Sequence, residues 1–231
     1  MRGRLLLAAL AASLVATGGA LATPPEDNIL APDQYTTEKA RGLAARHTGA
    51  LRELNAGIYN CMPWLDLPKQ SIGFFRPKHI APPKDDRYLS LRIYVDQDPS
   101  PQFMALRFEE RASAMFSRYV NGLLRRMTAS AALLADPAVD GFTVIVDWLK
   151  QAAQVGGRPV HETIAVFMEK VAAADYLAGR AKIRDLASRA VVLGYDGETA
   201  LGQLRLQAWE DNFLATYQVA NYQPAPGVTC R

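Results

Sequence analysis

Histidine is scarce in this sequence of 231 residues, and the scarcity limits the chemistry that the chain can carry. The only histidines are His47, His79 and His161, and a multi-histidine metal site would need nearly all of them. His47 falls on the apolar stripe of a predicted helix, where a buried, hydrogen-bonded side chain is the expected role. We therefore predict neither a metal centre nor a cofactor.

The sequence also lacks the contiguous motifs that mark many enzymes. It contains no G-x-S-x-G elbow, no H-E-x-x-H, no P-loop, no G-x-G-x-x-G and no paired C-x-x-C. Catalytic residues that are brought together only by the fold leave no such motif. The absence favours a non-enzymatic protein without excluding an enzyme.

Long apolar runs are absent except at the N-terminus. Arg2 and Arg4 precede an apolar run over residues 5–16, and Ala20-Leu21-Ala22 has the A-x-A form of a cleavage site. These features predict a removable signal peptide over residues 1–22, cleaved after Ala22. No later run approaches the roughly 20 apolar residues of a membrane helix. We expect a soluble periplasmic or secreted protein with no transmembrane segment after cleavage.

A large excess of one charge is absent too. The chain has 26 Lys and Arg against 23 Asp and Glu, and because Arg2 and Arg4 leave with the signal, the formal net charge falls from +3 to +1. A nucleic-acid binder needs a concentrated basic field. We therefore expect an envelope component or a small ligand as the partner, and no nucleic acid.

Only two cysteines are present, Cys61 and Cys230, and they predict one disulfide because an oxidising compartment favours pairing. The bond would tie the C-terminal tail to the end of the first predicted helix. Closing a loop of this size stabilises a protein by about 4 to 5 kcal/mol. The alternative is a reactive or metal-binding thiol pair, which would need partners such as C-x-x-C.

Periodicity predicts three helices and three strand pairs after a flexible Pro-rich leader over 23–34. The helices are 35–59, 102–127 and 170–188, and the strands are 71–76, 88–95, 142–149, 160–167, 190–195 and 201–209. Hairpins separated by helices are typical of an α+β fold, with antiparallel sheet(s) and helices packed on one face.

This order predicts a single α+β domain over 35–231. It also suggests a possible threefold helix-strand-strand repeat, with subunits 35–96, 101–167 and 170–209. The remaining tail, 210–231, is expected to cover a sheet edge.

Asp147 is the most unusual residue of the predicted strands, because it places a charge in the apolar run 142–149. If this strand pairs with 160–167 around residue 154, Asp147 lies opposite His161, with Glu162 adjacent. A carboxylate that orients an imidazole is the start of an acid–base site. The alternative is a strand-end ion pair or simple exposure on an open sheet face.

Four arginines recur at spacings of four and seven along the second predicted helix and would form a stripe on it. They are Arg107, Arg111, Arg118 and Arg125. Such a stripe could hold anionic envelope material, a phospholipid head or an acidic partner. The alternative is a solvated face, partly neutralised by Glu109 and Glu110.

Two further patterns carry weaker functional interpretations. Asp96-Gln97-Asp98 has the D-x-D spacing of a divalent cation site, but the prolines that follow favour turn and helix-entry chemistry. Aromatic residues in two groups could line a cleft or pack in the core. These groups are Trp64, Phe74 and Phe75, and Trp209, Phe213, Tyr217 and Tyr222.

Three functions remain in competition. The absence of catalytic motifs favours a non-enzymatic binding or interaction module of the cell envelope. The first alternative is a small secreted hydrolase that uses Asp147 and His161, with Glu162 as a further candidate. The second is a carrier of a lipid or another hydrophobe, which would require an apolar cavity between the sheet and the helices.

Overall fold

The structure, a computed structural model, describes residues 23–95, 100–151, 158–207 and 230. In these residues eight α-helices accompany one open sheet of seven strands, so the predicted α+β class is confirmed. The helices are α1 (Glu38–Arg46), α2 (Thr48–Cys61), α3 (Pro101–Met104), α4 (Phe108–Met115), α5 (Asn121–Met127), α6 (Ala131–Ala135), α7 (Lys170–Leu177) and α8 (Ile183–Arg189). The strands are β1 (Leu65–Asp66), β2 (Ile72–Phe75), β3 (Tyr88–Val95), β4 (Gly141–Gln151), β5 (Val160–Glu169), β6 (Val191–Asp196) and β7 (Thr199–Gln203). No helix in this part of the chain is long and apolar enough to cross a membrane.

The longer predicted helices are each divided. The helix predicted over 35–59 is two helices, α1 and α2, because the backbone of His47 (φ −105°, ψ 16°) departs from helical values. The helix predicted over 102–127 consists of α3, α4, a π-helical turn (Phe116–Val120) and α5. A π turn has more residues per turn than an α-helix, so it changes which residues share a helix face.

The Pro-rich leader over 23–34 makes contacts with β2 and with α2. Leu30 is buried, and its backbone N–H donates to the carbonyl of Ile72 at the start of β2 (2.9 Å). The Asn28 side chain, also buried, donates to the Asn55 side chain on α2 (3.1 Å). Two long-range hydrogen bonds therefore connect the leader to the sheet and to α2.

The order of the strands in the sheet largely follows their order in the chain, and one pair of neighbours is parallel. β1 and β2 lie beside β3, and β4, β5, β6 and β7 follow in sequence. All neighbours are antiparallel except β3 and β4, which are parallel and are connected by the segment that contains α3 to α6. The first strand pair thus joins the second through parallel strands, whereas the second joins the third through antiparallel strands. The topology does not show the possible threefold repeat.

The helices pack on one face of the sheet, here called the helix face, as predicted. Its strand side chains and the apolar stripes of the helices form one continuous core. The largest fully buried members include Phe74, Leu91, Phe142 and Trp148 from the strands and Leu43, Ile58, Phe116 and Leu123 from the helical segments. Phe74 therefore belongs to the core, which was one of the two predicted roles for its aromatic group.

On the opposite face, here called the loop face, the described residues supply loops and no helix. A small apolar cluster of Tyr88, Ala165 and Phe167 lies on it. Part of the segment 77–87 packs over this cluster: the His79 ring lies 4.8 Å from the ring of Phe167, centroid to centroid. Polar side chains occupy the neighbouring positions of the same face, and they form the candidate site.

The predicted disulfide is confirmed. Cys61, the last residue of α2, is bonded to Cys230, and their Cα atoms are 5.6 Å apart. The two residues are 169 positions apart in the chain, so the bond closes a loop that includes the whole sheet. We expect much of its effect to come from restricting the unfolded chain.

Removing the disulfide should lower stability without changing the fold. We expect Cys61→Ser to reduce the free energy of unfolding by about 4 kcal/mol, because loop closure in the unfolded state is lost. Urea denaturation followed by circular dichroism measures this quantity. Cys230→Ser and the double variant should lose the same amount, since all three lack one bond. Losses that add in the double variant would contradict this account.

Candidate functional site

Strand register brings polar side chains of the loop face together in three adjacent rows. Because side chains alternate along each strand, residues that are paired across strands share a face. The rows are Ser90, Thr143 and Phe167; Arg92, Ile145 and Ala165; and Tyr94, Asp147 and Thr163. Three polar members of these rows are buried: Ser90, Thr143 and Asp147. Ser71, in the loop before β2, is also buried and lines the same cavity as Ser90 and Thr143.

A cavity of about 510 Å³ lies over these rows. Its floor is formed by β3, β4, β5 and β6, which contribute Ser90, Thr143, Ile145 and Thr163 among others. Its walls come from the segments 68–71 and 75–78, which flank β2. Four hydrogen-bonded strands give the floor a rigid position, as binding sites require.

Two buried hydroxyl groups at the cavity have no hydrogen-bond partner among the described residues. They belong to Ser71 and Thr143, whose residues are 5% and 2% exposed. By contrast, the Thr163 hydroxyl donates to Asp147 (2.5 Å) and the Ser90 hydroxyl to the Tyr88 carbonyl (3.3 Å). A buried polar group without a partner costs about 1–3 kcal/mol. These two hydroxyls therefore have hydrogen-bonding capacity that a molecule in the cavity could use.

Basic residues dominate the charge of the cavity lining. Lys69, Arg76, Lys78 and Arg92 line it, and no carboxylate does among the residues that the structure describes. Lys69 pairs with Asp27 (2.9 Å) and Arg92 with Asp147 (2.6 Å). For Arg76 and Lys78 the described residues provide no ion pair. The cavity therefore carries two cations whose charge is not neutralised locally.

Asp147 does not lie opposite His161. The two strands pair around residue 155 instead of 154, so the residue opposite Asp147 is Thr163, and His161 lies opposite Leu149 next to an irregularity in the pairing. Asp147 is buried, and the Arg92 Nε and Nη2 and the Thr163 hydroxyl donate to it. His161 Nε2 instead lies 3.2 Å from the Tyr94 hydroxyl.

The acid–base pair predicted from Asp147 and His161 is therefore not formed, and the alternative, an ion pair, is what Asp147 makes. A shift of one residue in the midpoint of a hairpin moves every partner by two positions and keeps the same face. His161 and Thr163 consequently share the loop face with Asp147, but only Thr163 reaches it.

Glu162 lies on the helix face, away from the other two candidates. Its carboxylate accepts hydrogen bonds from Arg111 Nη2 (2.5 Å) and Nε (2.7 Å) and from the Trp148 indole N–H (2.9 Å). Glu162 is 1% exposed, and Arg111 also donates to the carbonyl of Leu106. All three polar groups are satisfied by one another, which is typical of a buried structural network.

The predicted arginine stripe is not a single surface. Arg111 is buried in the pair with Glu162, whereas Arg107 is exposed at the start of α4. Arg125 is exposed and donates to the Asn121 side chain (2.9 Å), and Arg118 is half-buried within the π turn. The π turn adds to the residues per turn, so positions before and after it no longer share the face that a regular helix would give them.

His47 is buried at the junction of α1 and α2. Its Nε2 lies 2.8 Å from Asp136 Oδ2, and Asp136 also accepts from Arg46 (3.0 Å) and from the Ala138 N–H (2.8 Å). Burial opposes ionisation of Asp136, but the hydrogen bonds from Ala138, His47 and Arg46 outweigh it and hold the pKa at about 2. The described residues contain no group of three or more His, Cys, Asp or Glu side chains that could hold a metal ion.

Several sequence candidates lie outside the described residues. These are Asp96 and Asp98 of the D-x-D pattern, and Trp209, Phe213, Tyr217 and Tyr222. Trp64 packs against the core, and Phe75 lines the cavity. The cavity hydroxyls were missed, although the polar alternate positions of the strands, such as Ser90 and Thr143, were a signal that could have indicated them.

No family model, no curated protein and no solved structure matches this chain. Function therefore has to be inferred from the geometry of the cavity and of the polar clusters. The buried clusters around Asp147, Glu162 and Asp136 are satisfied by neighbouring side chains. At the cavity, two hydroxyls have no hydrogen-bond partner and two cations have no carboxylate partner among the described residues.

Breaking the Arg111–Glu162 pair from one side should be more harmful than removing both charges. We expect Glu162→Gln to lower the free energy of unfolding by about 3 kcal/mol, because it leaves the Arg111 charge buried and uncompensated. The double variant Arg111→Met, Glu162→Gln should lose less, because no buried charge remains and Gln still accepts from Trp148. Urea denaturation of both variants tests this; a double variant that is less stable than Glu162→Gln would contradict it.

Acid should remove the stabilisation that Asp136 provides. Its folded-state pKa of about 2 is below its ordinary value of 3.8, so the stabilisation is present above pH 3.8 and is lost as the pH falls toward 2. We expect Asp136→Asn to be less stable than the wild type at neutral pH, with a difference that shrinks across this window. Denaturation at several pH values measures it. A difference that stays constant from pH 5 to 2 would contradict the assignment. In His47→Leu, which has no side-chain donor for Asp136, the window should move to higher pH.

Proposed function

We propose that this chain is an exported, non-enzymatic binding protein that holds a small ligand in the cavity on the loop face. The observation that carries this proposal is the pair of buried, unpartnered hydroxyls at the cavity, Ser71 and Thr143. Native proteins satisfy nearly all of their buried polar groups, so two unsatisfied hydroxyls at the same cavity favour a ligand that bonds to them. The class of function agrees with the binding module favoured by the sequence.

The size and construction of the cavity support this proposal. About 510 Å³ is within the range of about 300–1,000 Å³ that small-molecule sites occupy. Apolar side chains, among them Phe75, Ile145 and Phe167, form much of the lining, with a few polar groups between them. This mixture is typical of sites in which apolar contact provides affinity and a few polar groups fix the orientation.

Export to the periplasm or the medium is part of the proposal. It is supported by the basic start of the chain, the apolar run over 5–16 and the A-x-A pattern before residue 23. The Cys61–Cys230 disulfide is consistent with an oxidising compartment. A binding protein in that compartment would act on molecules of the envelope or of the surroundings.

The two alternative functions have less support. A hydrolase built on Asp147 and His161 would need the carboxylate to orient the imidazole, and Asp147 is instead held by Arg92 and Thr163. A hydrophobe carrier was expected to have its cavity between the sheet and the helices, where Phe142, Trp148 and the helix side chains form a packed core. The cavity described above lies on the other face.

Replacing the Thr143 hydroxyl should weaken ligand binding without lowering the stability of the protein. We expect Thr143→Val to leave the ligand-free protein as stable as the wild type or more stable by about 1 kcal/mol, because an unsatisfied buried hydroxyl is removed. The same variant should lose the ligand that the wild type retains when it is purified without denaturation from the envelope of its host. Urea denaturation measures the first effect, and native mass spectrometry measures the second.

A matched control is available at Thr128, a buried threonine whose hydroxyl donates to the Leu124 carbonyl (2.7 Å). Thr128→Val should lower stability by about 1 kcal/mol, because a buried hydrogen bond from the hydroxyl is lost, and should leave ligand retention unchanged. A wild-type protein that retains no ligand, together with equal losses of stability in Thr143→Val and Thr128→Val, would contradict the proposal.

A further inference from the structure

We infer that the ligand of the loop-face cavity is an organic anion with a planar, apolar body. This inference rests on the proposed function and adds the chemical class of the ligand. It is carried by three properties of the lining taken together: the unneutralised cations, the buried hydroxyls and the aromatic walls.

The charge of the lining selects for an anion. Of the four basic residues at the cavity, Lys69 and Arg92 have carboxylate partners, whereas Arg76 and Lys78 have none among the described residues. Lining carboxylates, which would repel an anion, are absent from the same described set. The Arg76 and Lys78 side chains are both exposed, so their attraction for a bound anion acts through solvent and is reduced by salt. A neutral or cationic ligand would leave this attraction unused.

The two buried hydroxyls of the cavity are suited to donate hydrogen bonds to an anionic ligand. A hydroxyl can donate or accept, so Ser71 and Thr143 do not by themselves select a ligand. In a cavity that is also lined by cations, the ligand groups that suit these hydroxyls best are acceptor oxygens, such as those of a carboxylate or a phosphate ester. Hydrogen bonds to an ionised acceptor are about twice as strong as those between neutral groups. Buried donors combined with cations at one cavity are therefore suited to an oxyanion.

The apolar part of the lining indicates the body of the ligand. The lining contains the aromatic residues Phe75, Phe167 and Tyr195. Ile145 of β4 and Ala165 of β5, which are paired across the two strands, form part of the floor. The Lys78 ammonium lies 5.8 Å from the centre of the Tyr195 ring, which keeps one cation beside an aromatic wall. A planar ring in the cavity would contact these side chains while its anionic group lies near the cations.

A pair of probes with the same shape and different charge tests this inference. Naphthalene-2-carboxylate and naphthalene-2-carboxamide are each titrated into the purified protein by isothermal titration calorimetry. We expect the carboxylate to bind at least about tenfold more tightly, because electrostatic attraction acts on it alone. The double variant Arg76→Gln, Lys78→Gln should lose about tenfold in affinity for the carboxylate and keep its affinity for the carboxamide.

The control variant removes the same charges elsewhere. Lys182 and Arg184 are exposed, have the same spacing in the chain and lie at α8, outside the cavity lining. Lys182→Gln, Arg184→Gln should bind both probes as the wild type does. If this variant weakens carboxylate binding as much as the cavity variant, the attraction comes from net charge and the inference is overturned.

Failure of the inference can be distinguished from failure of the proposed function. Equal affinity for the two probes, or preference for the carboxamide, overturns the anionic class while binding in the cavity stands. If neither probe binds but a native ligand is retained and is lost in Thr143→Val, the inferred class is wrong and the proposed function is right. If no native ligand and neither probe bind, both are wrong.

Discussion

Packing of the helices on a single face of the sheet is the constraint on which the rest of the structure depends. The helix face is an apolar surface, with Phe74, Phe142 and Trp148 among its members, and only a layer with its own apolar stripe can bury it. The described helices all contribute to that core, so the opposite face is left to loops. Loops cover a sheet less completely than helices do, and the cavity lies where their coverage ends. The place of the candidate site is thus a consequence of how the core is buried.

Alternation of side chains along β4 and β5 separates two buried ion pairs that would otherwise resemble one catalytic cluster. Asp147 faces the loop side and is held by Arg92, while Glu162 faces the helix side and is held by Arg111. Each carboxylate is fully engaged by a guanidinium and a second donor. Such pairs fix the position of a strand relative to its neighbours, and they leave little capacity for proton transfer. At the cavity, by contrast, two hydroxyls have no hydrogen-bond partner and two cations have no carboxylate partner among the described residues.

Most of the strands, the helix face and the disulfide could be predicted from the sequence, because each depends on a local pattern. The two-residue β1 was not predicted, and the strand predicted over 201–209 overlaps β7 only at 201–203. β3 matches its predicted bounds, since Leu89, Leu91 and Ile93 alternate with more polar residues. The partner of Asp147 could not be predicted, because the register of a hairpin depends on its loop. A hairpin midpoint at residue 155 instead of 154 places Thr163, and not His161, opposite Asp147. Burial of Arg111 depends on a carboxylate 51 residues later in the chain, and the cavity walls come from the segments on either side of β2. These are tertiary contacts, and no periodic pattern in the sequence indicates them.

The most direct test of a ligand in the loop-face cavity is an amide chemical-shift map. Spectra of the protein purified without denaturation from its host would be compared with spectra of the same protein after unfolding, removal of small molecules and refolding. The account predicts differences concentrated at Ser71, Ser90, Thr143 and Thr163, around the cavity floor and its adjoining wall. Identical spectra, or differences confined to the helix side of the sheet, would contradict it.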